Sequence, residues 1–341
     1  MKAFVTASLD APGLARLGRM MELHIEDWKE TGRIFFDAAE FAGRIREEGC
    51  NVAIVEADMI QREVFESAEL SMVGVCRGDP VNVDVAAATE RGVPVFHTPG
   101  RNAEAVADLT LCFLLMLARN VWAAISFVKG QSERIDNAED YLAMYRSMTG
   151  VELFDRRVGI IGFGAIGRRV AERVRACGAK VLAFDPFVDA ETCAAHGAEK
   201  LDLDSLLGAS DFLTLHVPDV PATKGLLGAR EIGLIKEGAY FVNTGRAMSV
   251  EEDPLYEACA SGRIRAAALD VFWKEPVRPD DRFVRLPNVI ATPHIGGASH
   301  DVARHQSTMI CEGIEAWCEG RRPPFLFNPE VFPPRGTTRS G

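Results

Sequence analysis

Three glycines in the run Gly162-Phe163-Gly164-Ala165-Ile166-Gly167 constrain this chain more than any other feature, because of what stands on either side of them. Residues 157–161 form a short apolar run of strand character. After the glycines, Ile166, Val170 and Val174 recur at four-residue spacing on one helix face until Gly178 ends it. A strand that turns through glycine into a helix gathers free N–H groups and the positive end of the helix dipole where a pyrophosphate can sit. Gly162 permits the tight turn, Gly164 lets backbone approach the phosphates, and Gly167 lets helix and strand pack closely. Glycine pairs are common at turns, and it is the strand–turn–helix context that gives the motif weight. The next strand, 180–184, ends in Asp185, 18 positions beyond Gly167. A carboxylate there accepts hydrogen bonds from both ribose hydroxyls and repels a 2′-phosphate, which favours NAD over NADP.

Around this unit, short apolar runs alternate with amphipathic stretches almost from end to end, the pattern of parallel strands joined by crossover helices. The first hundred residues offer strands at 3–7, 52–56, 72–76 and 93–96, with helices at 38–48 and 83–90. Pro99-Gly100 then precedes a helix over 102–120 that is apolar nearly all round, which predicts burial. Residues 129–149 are polar and read as a connecting arm or lid. A second series places six strands at 157–161, 180–184, 212–217, 240–243, 266–271 and 289–291, the number of a full dinucleotide-binding sheet. A last helix over 299–319 has no sheet of its own and should pack on one already built.

Composition narrows the function. The formal charge of −11 opposes nucleic acids and anionic membranes, and no basic patch offsets it, so small molecules are the expected partners. The greasy stretch 105–128 is interrupted by Asp108, Arg119 and Asn120, and the N-terminus lacks a signal-peptide core, so a cytoplasmic protein is expected. The eight cysteines are dispersed without Cys-x-x-Cys pairs, and His300 and His305 do not share a helix face, so no metal site is expected.

Three further polar sites end predicted strands: Asn243-Thr244-Gly245-Arg246, Asp270 through Glu275-Pro276, and Thr292-Pro293-His294-Ile295-Gly296-Gly297. Strand C-termini of a parallel sheet share one edge, so these sites converge with the glycine turn. Arg246 suits a substrate carboxylate through a two-pronged hydrogen bond, and His294 suits a proton donor and acceptor at a hydroxyl. Glu275 beside the imidazole favours its charged form.

With these residues the chain resembles the NAD-dependent D-2-hydroxyacid dehydrogenases, a family that includes phosphoglycerate, glyoxylate/hydroxypyruvate and phosphite dehydrogenases. The resemblance also covers Asn82-Val83-Asp84, 102–108 and His216-Val217-Pro218, nearly the whole chain. It implies an α/β fold of two domains. A flavodoxin-like substrate lobe comprises 1–100 plus 299–341, and a Rossmann cofactor domain with a doubly wound parallel sheet spans 101–298. It assigns Arg246 to substrate binding and polarisation, Glu275 to pairing with His294, and His294 to acid/base catalysis. Thr244 and Asp270 fall near the nicotinamide and His216, Val217 and Pro218 on the adenosine side, with Gly245, Gly296 and Gly297 also expected to bind the cofactor. It further implies a homodimer, with 102–120 as a contact.

Two departures stand out. Gly245 and Ala247 reverse the family's usual order around the arginine. The substrate loop reads Cys76-Arg77-Gly78-Asp79-Pro80, where Arg77 and Gly78 are candidate substrate contacts. Arg77 suits a second anionic group, as in a sugar acid or its phosphate; the simpler alternative is an Arg77–Asp79 surface pair. The expected reaction is hydride transfer between NAD and a D-2-hydroxy acid or its 2-keto partner. The alternatives are an NAD(H)-sensing corepressor-like protein and a phosphite- or formate-type dehydrogenase on the same fold.

Overall fold

The structure, a computed structural model, describes residues 1–130 and 135–332. The chain forms two compact units, one of Met1–Asn102 with Ser299–Gly341 and one of Ala103–Ala298.

In the first unit, β1 (Lys2–Val5), β2 (Glu22–Ile25), β3 (Val52–Val55), β4 (Met72–Val75) and β5 (Val95–Phe96) pair in parallel in the order β2-β1-β3-β4-β5. This is the flavodoxin-type order. β3 and β4 are buried along their whole length, as parallel strands covered on both faces must be, and their sequences are accordingly unbroken apolar runs. β2 escapes the sequence reading because it is an edge strand, Glu-Leu-His-Ile, with no fully buried residue and no apolar run. The helix His300–Cys318 packs on this sheet, where Ile310, Cys311, Ile314 and Trp317 share a core with Val5, Ile54 and Phe96.

The chain beyond that helix covers the free edge of β5. Leu326 bridges Phe96 in antiparallel sense, Phe327 N–H donates to Val95 O at 2.8 Å, and the Asn328 side chain bonds Val95 N–H and Val93 O. An exposed strand edge is thereby paired within the chain. Residues 333–341 of the expected substrate lobe lie outside the described residues.

A buried carboxylate locks this unit. Glu56, just beyond β3 and 7% exposed, accepts from the Trp28 indole (3.2 Å), Arg101 (2.9 Å) and the Gln306 amide (3.2 Å). Burial opposes its ionisation, but Arg101 and the hydrogen bonds outweigh that and hold the carboxyl below its usual range. Arg101 stands just before the chain leaves this unit and Gln306 follows its return, so one carboxylate ties the two crossings together.

The second unit contains β6 (Arg157–Ile161), β7 (Lys180–Phe184), β8 (Ala198–Lys200), β9 (Phe212–Leu215), β10 (Tyr240–Asn243), β11 (Ala266–Leu269) and β12 (Val289–Ala291). They form a parallel sheet ordered β12-β11-β10-β9-β6-β7-β8. Seven strands replace the expected six, because Ala-Glu-Lys at the β8 edge has no apolar pattern to betray it. Both faces are covered. Tyr240 and Val242 join Phe113, Leu114 and Val170 on one side, while Phe241 joins Leu206, Leu255 and Phe283 on the other.

The expected all-round burial of 102–120 is corrected. The helix Ala103–Ala118 buries Ala103, Val106, Ala107, Thr110, Phe113, Leu114, Leu117 and Ala118, a single face of three- and four-residue spacing, and leaves Leu115 exposed. Glu104 and Asp108 tie it to Arg169 and Arg173 of the helix Ala165–Ala176. The helices Val121–Gly130 and Ala138–Met148 follow, neither with a buried residue. The expected arm over 129–149 is therefore helical at 129–130 and 138–148, and its residues 131–134 lie outside the described residues. No single helix among the described residues is long and apolar enough to cross a membrane.

Glu56→Ala should destabilise the first unfolding transition by about 3 kcal/mol, since it strands buried donors and a guanidinium. A folded-state carboxyl held below its unfolded value contributes fully above that value and loses its contribution as pH falls through the folded one. The gap between wild type and variant in urea unfolding should therefore be full at neutral pH and shrink below about pH 4.5. A gap independent of pH would contradict this role.

Candidate active site

The strand registers set Phe184, Ile161, Leu215, Asn243, Leu269 and Ala291 in one row across β7, β6, β9, β10, β11 and β12. The residues that follow them are Asp185, Gly162, His216, Thr244, Asp270 and Thr292, so these sequence-derived candidates stand at one sheet edge, neighbours about 4.8 Å apart. Strand order reverses between β6 and β9, the place where open α/β sheets form a ligand crevice.

At that crevice Gly162 has φ +90°, and a Cβ there would lie 2.5 Å from the His216 carbonyl oxygen. Any side chain would therefore push β6 and β9 apart at their ends. A Cβ on Gly167 would lie 2.2 Å from Gly162 O, which fixes the close helix–strand approach. Gly164 differs: a Cβ there meets nothing within 4 Å, and the helix Ala165–Ala176 that it opens has no side-chain cap. The uncapped turn beside open space suits the pyrophosphate of a dinucleotide, with Ala165 and Ile166 in the first helical turn.

Asp185 is half-buried and already oriented, its Oδ2 accepting from Phe163 N–H (2.8 Å) and its Oδ1 from Phe187 N–H (2.9 Å). Each oxygen keeps a lone pair for a ribose hydroxyl. His216 Nε2 meets Thr214 Oγ1 at 3.1 Å, and its buried Nδ1 has no partner. Burial pushes its pKa down to about 3, so the ring is neutral. Val217 packs beside Gly162, and the Pro218 carbonyl accepts from Thr223. The two arginines that open the helix are spent within the unit. Arg168 donates to Phe163 O and Arg169 pairs with Glu104.

Arg246 is presented by a turn that Asn243 clamps. Asn243 Oδ1 accepts from Gly245 N–H (3.0 Å) and its amide donates to Arg246 O (3.1 Å), while Ser249 donates to the same carbonyl (2.7 Å). The guanidinium is exposed, with Nη1 on Gly245 O. Thr244 Oγ1 is taken by Thr110 (2.8 Å). A Cβ on Gly245 would fall 2.8 Å from Leu215 O, a steric reason for glycine before this arginine. Asn243 enters the sequence reading only as part of a polar strand end, and Ser249 and Thr110 do not enter it; only the Asn-x-Gly spacing hints at the clamp.

Asp270 is fully buried. Its Oδ1 accepts from Thr292 Oγ1 (2.6 Å) and Ile295 N–H (2.8 Å), and its Oδ2 from Gly296 N–H (2.7 Å). A Cβ on Gly296 would lie 2.9 Å from that oxygen. The loop so held presents His294 with φ 58°, a left-handed backbone that a side-chain-bearing residue rarely adopts. His294 Nδ1 meets Glu275 Oε2 at 2.8 Å, and Glu275 Oε1 accepts from Phe272 N–H (3.0 Å). Both side chains are well exposed, and Gly297 continues the loop. A histidine with one ring nitrogen on a carboxylate and the other open is equipped to pass a proton.

Residues 111–296 match the family described as D-isomer specific 2-hydroxyacid dehydrogenase, NAD binding domain. The chain is 37% identical over 322 residues to YoaD of Bacillus subtilis (strain 168), covering 93% of this chain and 91% of the relative. It is 33% identical over 336 residues to the glyoxylate reductase of Korarchaeum cryptofilum (strain OPF8), covering 97% and 96%. The chain belongs to the D-isomer specific 2-hydroxyacid dehydrogenases. Among solved structures, the TT0316 protein of Thermus thermophilus superposes with a TM-score of 0.78 at 32% identity, covering 96% of this chain and all of that one. Like its family, this dehydrogenase is an NAD-dependent oxidoreductase, and the uncapped glycine turn and oriented Asp185 fit that cofactor.

The remaining candidates lie in the first unit. Arg77, half-buried after β4, points to the Glu56 carbonyl at 3.5 Å, and no ion pair joins it to Asp79 among the described residues. The Gly78 carbonyl meets His97 Nδ1 at 2.7 Å.

In this dehydrogenase Asp270→Ala should leave two loop N–H groups without acceptors. Amide exchange across 292–297, read by mass spectrometry, should quicken at least tenfold, or about 1.4 kcal/mol, while β11 stays protected. Unchanged exchange in the loop would remove Asp270 from its support.

Proposed function

We propose that the dehydrogenase interconverts a small D-2-hydroxy acid and its 2-keto acid, with His294 as acid/base, Glu275 as its partner and Arg246 on the substrate carboxylate. The observation that carries this reading is the 2.8 Å His294–Glu275 contact on a loop anchored beside the cofactor edge. When bound, the nicotinamide supplies a hydride to C2 in reduction and takes it back in oxidation. In reduction His294 donates a proton to the keto oxygen, so the keto acid gains a hydride and a proton to become the hydroxy acid. In oxidation the imidazole takes that proton back. Glu275 stays on Nδ1 throughout, fixing the ring orientation and stabilising its charge. The exposed Arg246 guanidinium pairs with the carboxylate and polarises the adjacent carbonyl.

Relatives named glyoxylate reductase and hydroxypyruvate reductase favour short 2-keto acids as substrates. We assign the second unit to NAD and the first, through Arg77 and the N–H groups near Gly78, to substrate recognition. A turnover screen of glyoxylate, hydroxypyruvate, pyruvate and branched-chain and sugar-derived 2-keto acids with NADH tests this class. His294→Gln should lower kcat on the best of them by about 10²- to 10⁴-fold while NADH affinity, from fluorescence titration, stays close to wild type. Undiminished turnover would refute the acid/base assignment.

Asp185 supports a preference for NAD over NADP. With NADH and NADPH compared at equal concentration, kcat/KM should favour NADH by at least about tenfold, and Asp185→Ser should narrow the gap. A preference for NADPH would contradict the role given to that carboxylate.

A homodimer completes the reading. Leu115, Trp122, Ile125, Val128, Tyr141 and Tyr145 are exposed on consecutive helices of the second unit, an apolar surface that a second copy can cover. Light scattering should give the mass of two chains for wild type and of one chain for Ile125→Glu with Tyr145→Glu. A monomeric wild type would rule the dimer out.

A further inference from the structure

The opposite, N-terminal edge of the seven-stranded sheet holds a cavity of about 280 Å³ that the reaction does not use. It is lined by the segments that enter β6, β9, β10 and β11, including Arg156, Asp211, Lys236, Tyr240 and Arg265. Tyr240 stacks on Phe212 with ring centroids 4.5 Å apart and is 4% exposed. Its hydroxyl is buried and has no hydrogen-bond partner. A phenylalanine would keep the stacking, whereas a buried hydroxyl without a partner costs the fold stability. Burial raises the phenol's pKa, so the group is protonated and available as a donor.

The charge around this hydroxyl is uneven. Lys236 is neutralised by Asp211 at 2.6 Å, and Asp211 also takes the Arg157 N–H. Arg265 lies over the Tyr240 ring at 5.9 Å, and neither it nor Arg156 forms an ion pair among the described residues. Glu237, the other acid of the lining, is exposed and pairs with neither. Two guanidiniums outside any ion pair among the described residues thus stand near a buried donor. The cavity falls just below the range of about 300–1,000 Å³ that holds drug-sized ligands, which suits a small metabolite.

We propose that this cavity is a second ligand site, for a small oxyanion, in which the Tyr240 hydroxyl donates a hydrogen bond and Arg156 and Arg265 supply the charge. A carboxylate and a phosphate share this chemistry, since both accept from a guanidinium fork and a phenol.

Calorimetric titration of the full chain, saturated with NADH and at constant ionic strength, tests it with two probes, inorganic phosphate and succinate. At least one should bind saturably, and which one does identifies a phosphoryl or a carboxylate ligand. Arg156→Ala with Arg265→Ala, both exposed positions, should weaken binding at least about tenfold, and Tyr240→Phe, which keeps the stacked ring, by about three- to tenfold. Arg246→Ala, at the other sheet edge, should leave it unchanged. No saturable binding of either anion up to about 10 mM, or binding that survives the double arginine variant or disappears with Arg246→Ala, would overturn the site. Full affinity in Tyr240→Phe would overturn the role of the hydroxyl.

Discussion

The buried carboxylate of Asp270 determines where the loop that carries His294 stands. Loop backbone carrying an exposed histidine has no packing of its own to hold it, and His294 adopts a left-handed conformation that costs free energy. Asp270 offsets that cost from below, through Thr292, Ile295 and Gly296, and its own position is set by its place in the sheet as the residue after β11. Glu275 then fixes the ring from the side. The site is thus built in tiers: strand register places Asp270, Asp270 places the loop, and the loop with Glu275 places the imidazole. Disturbing a lower tier displaces everything above it, whereas a change at Glu275 alone leaves the loop intact.

A related solution holds the first unit. Glu56 is also a carboxylate just past a strand, surrounded by donors from distant parts of the chain. The two differ in partners. Asp270 is met by backbone N–H groups and a hydroxyl, and Glu56 by a cation, neutral side chains and the Ser8 N–H, so of the two only Glu56 carries an ion pair. A buried carboxylate is kept where donors converge on it, and in both cases that convergence ties segments distant in sequence together.

Much of the candidate site is legible in the sequence because its residues sit at strand ends. The glycine turn, Asp185, Arg246, Glu275 and His294 each follow or close upon an apolar run, and parallel pairing brings such positions to one edge. The supports were not legible. Thr110 meets Thr244 across more than a hundred residues of sequence, and Asp270 has an ordinary sequence context that says nothing of its three partners. Edge strands β2 and β8 were missed because partial exposure removes the apolar pattern that betrays a strand. The antiparallel cover over β5 depends on Asn328, whose partners lie over two hundred residues earlier.

The central claim is that His294 faces the reacting oxygen with Arg246 on the carboxylate. A crystal structure with NADH and oxamate, an unreactive mimic of a 2-keto acid, tests it directly. The account predicts the oxamate carbonyl oxygen within about 3 Å of His294 Nε2, its carboxylate on the Arg246 guanidinium, and Glu275 still on Nδ1. Oxamate bound away from His294, or an imidazole turned from it with the Glu275 contact broken, would contradict the account.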